Sequence, residues 1–181
     1  MFKFGKQATQ VARLNRVSRV SRDHIITFTF DGKTYTGYAG DTLASALLAN
    51  GVHLIGRSFK YHRPRGILSA GSEEPNALIR LGQGSYAEPN LRATQIEIFE
   101  GLYAESQNRL PSLSFDIGAI NSILARFFPA GFYYKTFMWP AAMWMKYETV
   151  IRHAAGLGKA AIDHNDPDRY EKTHAHCDVL V

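Results

Sequence analysis

At 181 residues, with 45% hydrophobic and 20% charged side chains, the chain is long enough to bury a sizeable core and too apolar for wholesale disorder. It is basic, 21 Lys and Arg against 16 Asp and Glu giving a net charge of +5. The single cysteine, Cys177, excludes an internal disulfide framework and any site made of cysteine ligands alone, and makes a reducing compartment the default.

Residues 1–23 form a basic arm, with Lys3, Lys6, Arg13, Arg16, Arg19 and Arg22 against a single acid, Asp23. No apolar stretch of signal-peptide length follows, so the arm reads as a solvated tail or subunit contact, a mitochondrial transit peptide being the competing reading. In a helix its arginines would stack along one side and repel, so ordering it calls for an acidic partner. Nucleic acid would serve, but the arm lacks interleaved aromatics.

Order is expected from His24. Ile26, Phe28 and Phe30 alternate onto one face, Asp31-Gly32 supplies a tight turn and residues 33–38 alternate again, which predicts a β-hairpin over 24–38. Asp41 can cap a following helix whose apolar face is Leu43, Ala46 and Leu47, ended by Asn50-Gly51. A hairpin followed at once by one short helix is how a β-grasp domain begins, and further strands are predicted at 77–81 and 94–99. The first domain is therefore drawn at 24–100.

Beyond Gly101 the texture changes. Residues 116–128 predict an amphipathic helix with Ile117, Ile120, Ile123, Leu124 and Phe127 on one side, and 141–155 predicts a second. Nine of the 22 aromatic residues lie between Phe127 and Tyr147, more than a small helical segment can bury alone. They fit packing on another domain or subunit, or a local core. The stretch 127–145 is the most membrane-like, but Pro129, Lys135 and Pro140 argue against a spanning helix. Residues 163–173 read as a linker, so 101–173 is a helical connecting segment. Residues 174–181 end in Val179-Leu180-Val181, which reads as a buried strand cut short.

Three groups of residues carry chemical interest. Arg57, Lys60, Arg63 and Arg65, interleaved with Phe59 and Tyr61 and stiffened by Pro64 and Gly66, suit an anionic cofactor, a nucleotide phosphate or an acidic subunit face, a solvated loop held by structural ion pairs being the competing reading. Ser69, Glu74 and Ala77 have the spacing of three cysteine ligands in plant-type [2Fe–2S] ferredoxins and follow the first helix as that loop does. Ala77 has no ligating atom, so no metal site is assigned there. His174, His176 and Cys177 alternate along a predicted strand, a poor convergent geometry for a metal. No catalytic triad or carboxylate pair stands out.

Together, residues 29–79, 106–140 and 174–181, with the motif from Arg57 to Gly66 and the loop 69–76 as the most specific part, resemble the N-terminal part of the alpha subunit of heterotetrameric sarcosine oxidase. The resemblance implies a β-grasp, [2Fe–2S] ferredoxin-like domain without its cluster, a helical aromatic-rich segment, and at 178–181 the first strand of a truncated dinucleotide-binding domain: an α+β chain. It implies membership of a cytoplasmic oxidoreductase complex that demethylates sarcosine oxidatively to glycine, with formaldehyde or methylene-tetrahydrofolate and hydrogen peroxide as products. The partners implied are the beta, gamma and delta subunits and the remainder of alpha, and the cofactors of the complex FAD, FMN, NAD and tetrahydrofolate. None falls in this chain, which is expected to be structural and inert alone, with no catalytic residue, no membrane and no nucleic acid. A stand-alone β-grasp interaction module and a basic nucleic-acid-binding domain are the alternatives.

Overall fold

The computed structural model describes residues 9–14, 20–127, 139–154, 158–174 and 176–179. Its first element is the expected hairpin. Strands β1 (Ile25–Phe30) and β2 (Lys33–Tyr38) pair antiparallel from Ile25↔Tyr38 to Phe30↔Lys33. Asp31 and Gly32 both take positive φ, 49° and 74°, which matches the turn to the right-handed twist of the strands. Phe28 and Phe30 are buried, as the alternation predicts.

Helix α1 (Leu43–Ala49) lays Leu43, Ala44, Ala46 and Leu47 into the core. Its cap differs from expectation. Thr42, not Asp41, is the N-cap, its hydroxyl accepting from the Ser45 N–H at 3.2 Å. Asp41 is instead 1% exposed and works one layer deeper, accepting from the Tyr38 N–H at 2.9 Å and the Ser45 hydroxyl at 2.8 Å, and pairing with the Arg13 guanidinium. A buried carboxylate needs such partners, and Arg13, stacked 5.1 Å over the Tyr38 ring, comes from the arm. Residues 9–13 are therefore docked rather than solvated. The Thr9 N–H donates to the Thr36 hydroxyl at 2.8 Å and the Ala12 N–H to the Ala49 carbonyl at 2.8 Å. Residues 1–8 and 15–19 of the arm lie outside the described residues.

The sheet is completed by β5 (Leu78–Leu81), β6 (Glu88–Arg92) and β7 (Tyr103–Ser106), while β3 (Gly56–Arg57) and β4 (Pro64–Arg65) form a separate small hairpin. The strand order is β2-β1-β7-β5-β6, with β7 parallel to β1 and the other pairs antiparallel. A mixed sheet crossed by one helix is the expected α+β, ferredoxin-like plan. The strand predicted at 94–99 is not one. Ile98 is buried as its alternation demands, but this backbone serves the helix start: the Leu43 and Ala44 N–H groups, which have no partner inside α1, donate to the Ile96 and Ala93 carbonyls at 2.7 and 2.9 Å. Only Thr42↔Glu97 remains as an isolated bridge.

The second half is more open. The helix predicted over 116–128 is broken into a 3-10 turn at Ile117–Ala119, a single α turn α2 (Ile120–Ile123) and another 3-10 turn at Leu124–Phe127. Gly118 and the β-branched isoleucines are weak helix formers, and a short helix gains most of its stability from a packed face. Here that face is in the open, Ile123 being 80% and Phe127 73% exposed. Helix α3 (Trp144–Ala154) matches its prediction after a 3-10 turn at Ala141–Met143. Most of the aromatic run, residues 128–138, lies outside the described residues. Residues 165–174 carry no helix or strand, and Asp178 and Val179 carry none of the predicted terminal strand, whose last two residues lie outside the described ones. Among the described residues no helix is long and apolar enough to cross a membrane.

The buried Arg13–Asp41 contact gives a direct test. Replacing Arg13 by Ala leaves Asp41 charged and short of a donor, and should cost about 2–3 kcal/mol in urea unfolding. Amide exchange at Ala12 should accelerate in the same variant, because the docked segment loses its anchor.

Candidate functional site

Two loops beside β5 hold the residues singled out in the sequence. The first is centred on Glu74, which is 0% exposed. Its Oε2 accepts from the Leu68 N–H at 2.7 Å and the Ser69 N–H at 2.6 Å, and its Oε1 from the Asn76 N–H at 2.7 Å. The Ser69 hydroxyl lies 3.4 Å from Oε2. The loop is tied down from outside as well, Arg92 Nε donating to the Glu74 carbonyl at 3.0 Å and the Thr94 hydroxyl to the Gly71 carbonyl at 2.8 Å. Burial acts most strongly on the Glu74 carboxyl and pushes its pKa up, yet the backbone donors of Ser69, Asn76, Leu68 and Ala77 together hold it below the ordinary 4.5. The loop is an inward-facing set of N–H groups closed around its own anion.

The second loop is the β3–β4 hairpin. His62, at its tip, has φ 50° and is buried. Its Nδ1 lies 2.7 Å from Asp116 Oδ2, and because a carboxylate only accepts, Nδ1–H is the donor. Asp116 Oδ1 also accepts from the Leu110 N–H at 3.1 Å and the Gly118 N–H at 3.0 Å. Gly118 is required, since a Cβ there would come within 2.3 Å of the imidazole. Arg57 completes the junction. Its Nε donates to the Leu113 carbonyl at 3.0 Å, its Nη1 to the His62 carbonyl at 3.0 Å, and it lies 3.7 Å from Asp116. The Asn108 amide donates to the Arg57 and Ser58 carbonyls at 3.1 and 2.6 Å. A His–Asp pair can orient a base, but this one is buried against Gly118 and fastens the basic loop to the segment after β7.

The four cations of the basic loop therefore divide. Arg57 faces inward and bolts the two loops together. Lys60 and Arg63 flank the Tyr61 ring at 5.0 and 4.8 Å, and Arg63 Nε reaches the Ser122 hydroxyl at 3.5 Å. Arg65 is exposed on β4, and with Arg57, Phe59, Asn76, Leu78 and Asn108 it lines a cavity of about 130 Å³. His174, His176 and Cys177 are exposed in coil. Sequence reasoning missed His62, Asn108 and Asp116 as a junction. Asp116 carried a signal as a cap before a predicted helix, but its partner is 54 residues away.

Residues 23–109 match the family described as a 2Fe-2S iron-sulfur cluster binding domain. Over 170 residues, 93% of this chain, the sequence is 65% identical to the sarcosine oxidase subunit alpha of Rhizobium meliloti (strain 1021). It is 48% identical over 90 residues to the subunit of the same name from Corynebacterium sp. (strain U-96), covering 48% of this chain and 9% of that one. The chain spans 17% of the length of the Rhizobium relative. Among solved structures, L-proline dehydrogenase from P. horikoshii aligns at 29% identity with a TM-score of 0.38, covering 48% of this chain and 16% of that one.

The residues present do not fit the cluster for which that family is described. Its ferrous and ferric ions are held by thiolates, whereas the loop positions hold Ser69, Glu74 and Ala77, and the one cysteine, Cys177, lies outside the matched region. The inward N–H groups of the loop are also taken already, by Glu74.

Glu74→Gln should therefore turn one accepting oxygen into an NH2 group facing N–H donors, and cost about 2–4 kcal/mol of stability at neutral pH. The sign with pH follows from the depressed carboxyl: its contribution is present above the unfolded value near 4.5 and is lost as pH falls through the lower folded value. Acid unfolding followed by circular dichroism should accordingly be steeper in the wild type than in Glu74→Gln over that window. Asp116→Ala should cost about 3–5 kcal/mol by stranding His62 and two N–H groups, read as a drop in the thermal midpoint.

Proposed function

Because the chain is homologous over most of its length to the N-terminal part of sarcosine oxidase alpha subunits, we propose that it forms the N-terminal segment of such a subunit. In this reading it is part of a multisubunit oxidoreductase that demethylates sarcosine oxidatively to glycine, releasing formaldehyde or methylene-tetrahydrofolate and hydrogen peroxide. The single observation that carries it is the 65% identity extending over 93% of the chain, well past the ferredoxin-like domain. The beta, gamma and delta subunits and the rest of alpha are its partners, in the cytoplasm. FAD, FMN, NAD and tetrahydrofolate serve the complex and bind outside this chain.

Within that complex the chain's own work is structural. Residues 24–100 supply a ferredoxin-like domain whose cluster loop is closed by Glu74 in place of metal and sulfide. Residues 101–173 connect it, through the aromatic-rich segment, to a dinucleotide-binding domain whose first strand is 178–181. The basic loop, with Arg63 and Arg65 exposed, Lys60 half-buried and Arg57 beneath, makes anion or interface contacts. No residue of this chain acts on sarcosine.

The test is a comparison of the isolated chain with the assembly. Alone, the chain should give no sarcosine-dependent hydrogen peroxide, and anaerobic reconstitution with iron and sulfide should give no [2Fe–2S] absorption or paramagnetic signal. A full-length alpha subunit lacking residues 24–100 should fail to co-purify with its partners. Normal turnover by that deletion, or sarcosine oxidation by the isolated chain, would refute the proposal.

A further inference from the structure

The cavity of about 130 Å³ lies between the β3–β4 hairpin, the Glu74 loop and β5. Gly56 opens it. In the hairpin Gly56 stands directly opposite Arg65, and such partners share a face of the ladder. A Cβ on Gly56 would point at the Asn76 and Leu78 carbonyls, 3.7 and 4.0 Å away. Arg65, on the same face, is therefore directed toward β5 beside the space that the glycine leaves.

The polar side chains around that space are donors with capacity left. Arg65 makes no side-chain hydrogen bond or ion pair with any described residue. The Asn76 carboxamide makes none either, although the residue is half-buried. The Ser58 hydroxyl accepts from the Arg63 N–H at 3.0 Å, which leaves its own proton to give. Arg57 adds charge from the same lining, with its nitrogens turned to the Leu113 and His62 carbonyls. No carboxylate lines the cavity, and Glu74, next to Pro75 and Asn76, is turned onto the N–H groups of its own loop. Phe59 and Leu78 supply apolar walls, beside which a charge-assisted hydrogen bond is stronger than in open water.

Size narrows the occupant. The volume is well above the roughly 10–15 Å³ that one water requires. It is well below the about 300–1,000 Å³ of pockets that enclose a whole organic ligand. One oxyanion group fits, and a nucleotide does not.

We infer that this cavity binds an oxyanion, a carboxylate or phosphate group, with Arg65 as its charged donor and Asn76 and Ser58 as neutral ones. This deepens the anion contacts proposed above for the basic loop. A free small anion and an Asp or Glu side chain of the assembled protein offer the same chemistry, and the test separates them.

Inorganic phosphate titrated into the assembled enzyme, followed by calorimetry, should show a saturable component that R65Q weakens at least tenfold and N76A about threefold. R65K should retain part of it, because lysine keeps the charge and loses the fork. The thermal midpoint of R65Q in phosphate-free buffer should match wild type, which separates ligand binding from a structural role. Where a protein carboxylate fills the cavity, that component is absent. A carbodiimide should then join the new amine of R65K to that carboxylate as an amide, the carbodiimide leaving as its urea, and peptide mapping locates the partner. A phosphate component equal in wild type and R65Q would overturn the inference, as would the absence of both component and amide. If either result comes from an assembled, sarcosine-oxidising enzyme, it removes this inference alone. Failure of alpha to assemble with its partners would instead remove the alpha-subunit reading, and the same titration on alpha by itself then decides the cavity.

Discussion

The loop over residues 68–77 depends on one side chain. Its N–H groups at Leu68, Ser69 and Asn76 point inward at the Glu74 carboxylate, which has no contact with water. Backbone donors turned into a concavity need an anion, and an unpaired buried N–H is costly. A metal–sulfur cluster and a carboxylate satisfy the same geometric need, but the carboxylate arrives with the chain and requires no thiolates. The loop of this domain, within the stretch that matches a cluster-binding family, is thus closed without a thiolate. The Glu74 carboxyl is held below its ordinary value because the donors that favour the charged form outweigh the burial that opposes it.

Two further carboxylates repeat the solution. Asp41 holds residues 9–13 against α1 through Arg13, and Asp116 holds the β3–β4 hairpin against the segment after β7 through His62. Each joins stretches far apart in sequence and is nearly or wholly removed from solvent. Buried charge of this kind contributes little net stability relative to apolar packing, but it tolerates few alternative geometries, because any slip strands a charge. Three of the chain's acids are thereby withdrawn from the surface.

What the sequence disclosed followed the range of the interactions involved. The β1–β2 hairpin, its Asp31-Gly32 turn and α1 were readable because alternation, turn chemistry and helical spacing are local. β6 was hidden because Pro89, and Asn90 at φ 63°, are residues that only an edge strand accepts. β7 was hidden because Tyr-Ala-Glu-Ser lacks the branched residues of a typical strand, although its position between β1 and β5 makes it central. Residues 94–99 misled for the converse reason: they alternate because Ile98 is buried, while the Ile96 carbonyl is committed to the first turn of α1. In the site, the basic motif was visible as composition, but its division into the inward Arg57, the half-buried Lys60 and the exposed Arg63 and Arg65 was not. That division is decided by Leu113 and Asp116, more than fifty residues downstream.

The run from 117 to 127 shows most directly how periodicity and structure can disagree without either being at fault. Apolar residues at 117, 120, 123, 124 and 127 satisfy helical spacing, yet the backbone holds one α turn between two 3-10 turns, with the stripe facing outward. Spacing records which residues are to be buried together, not what buries them. A stripe of four or more large apolar side chains gains about 1.5–3 kcal/mol for each one covered, enough to lengthen a helix that is marginal by itself. The sheet cannot supply that cover, because its helix-bearing face is already filled by Leu43, Leu47 and Ile98. Among the described residues the stripe is left uncovered, and a segment without a packed face has little to hold it in one continuous helix.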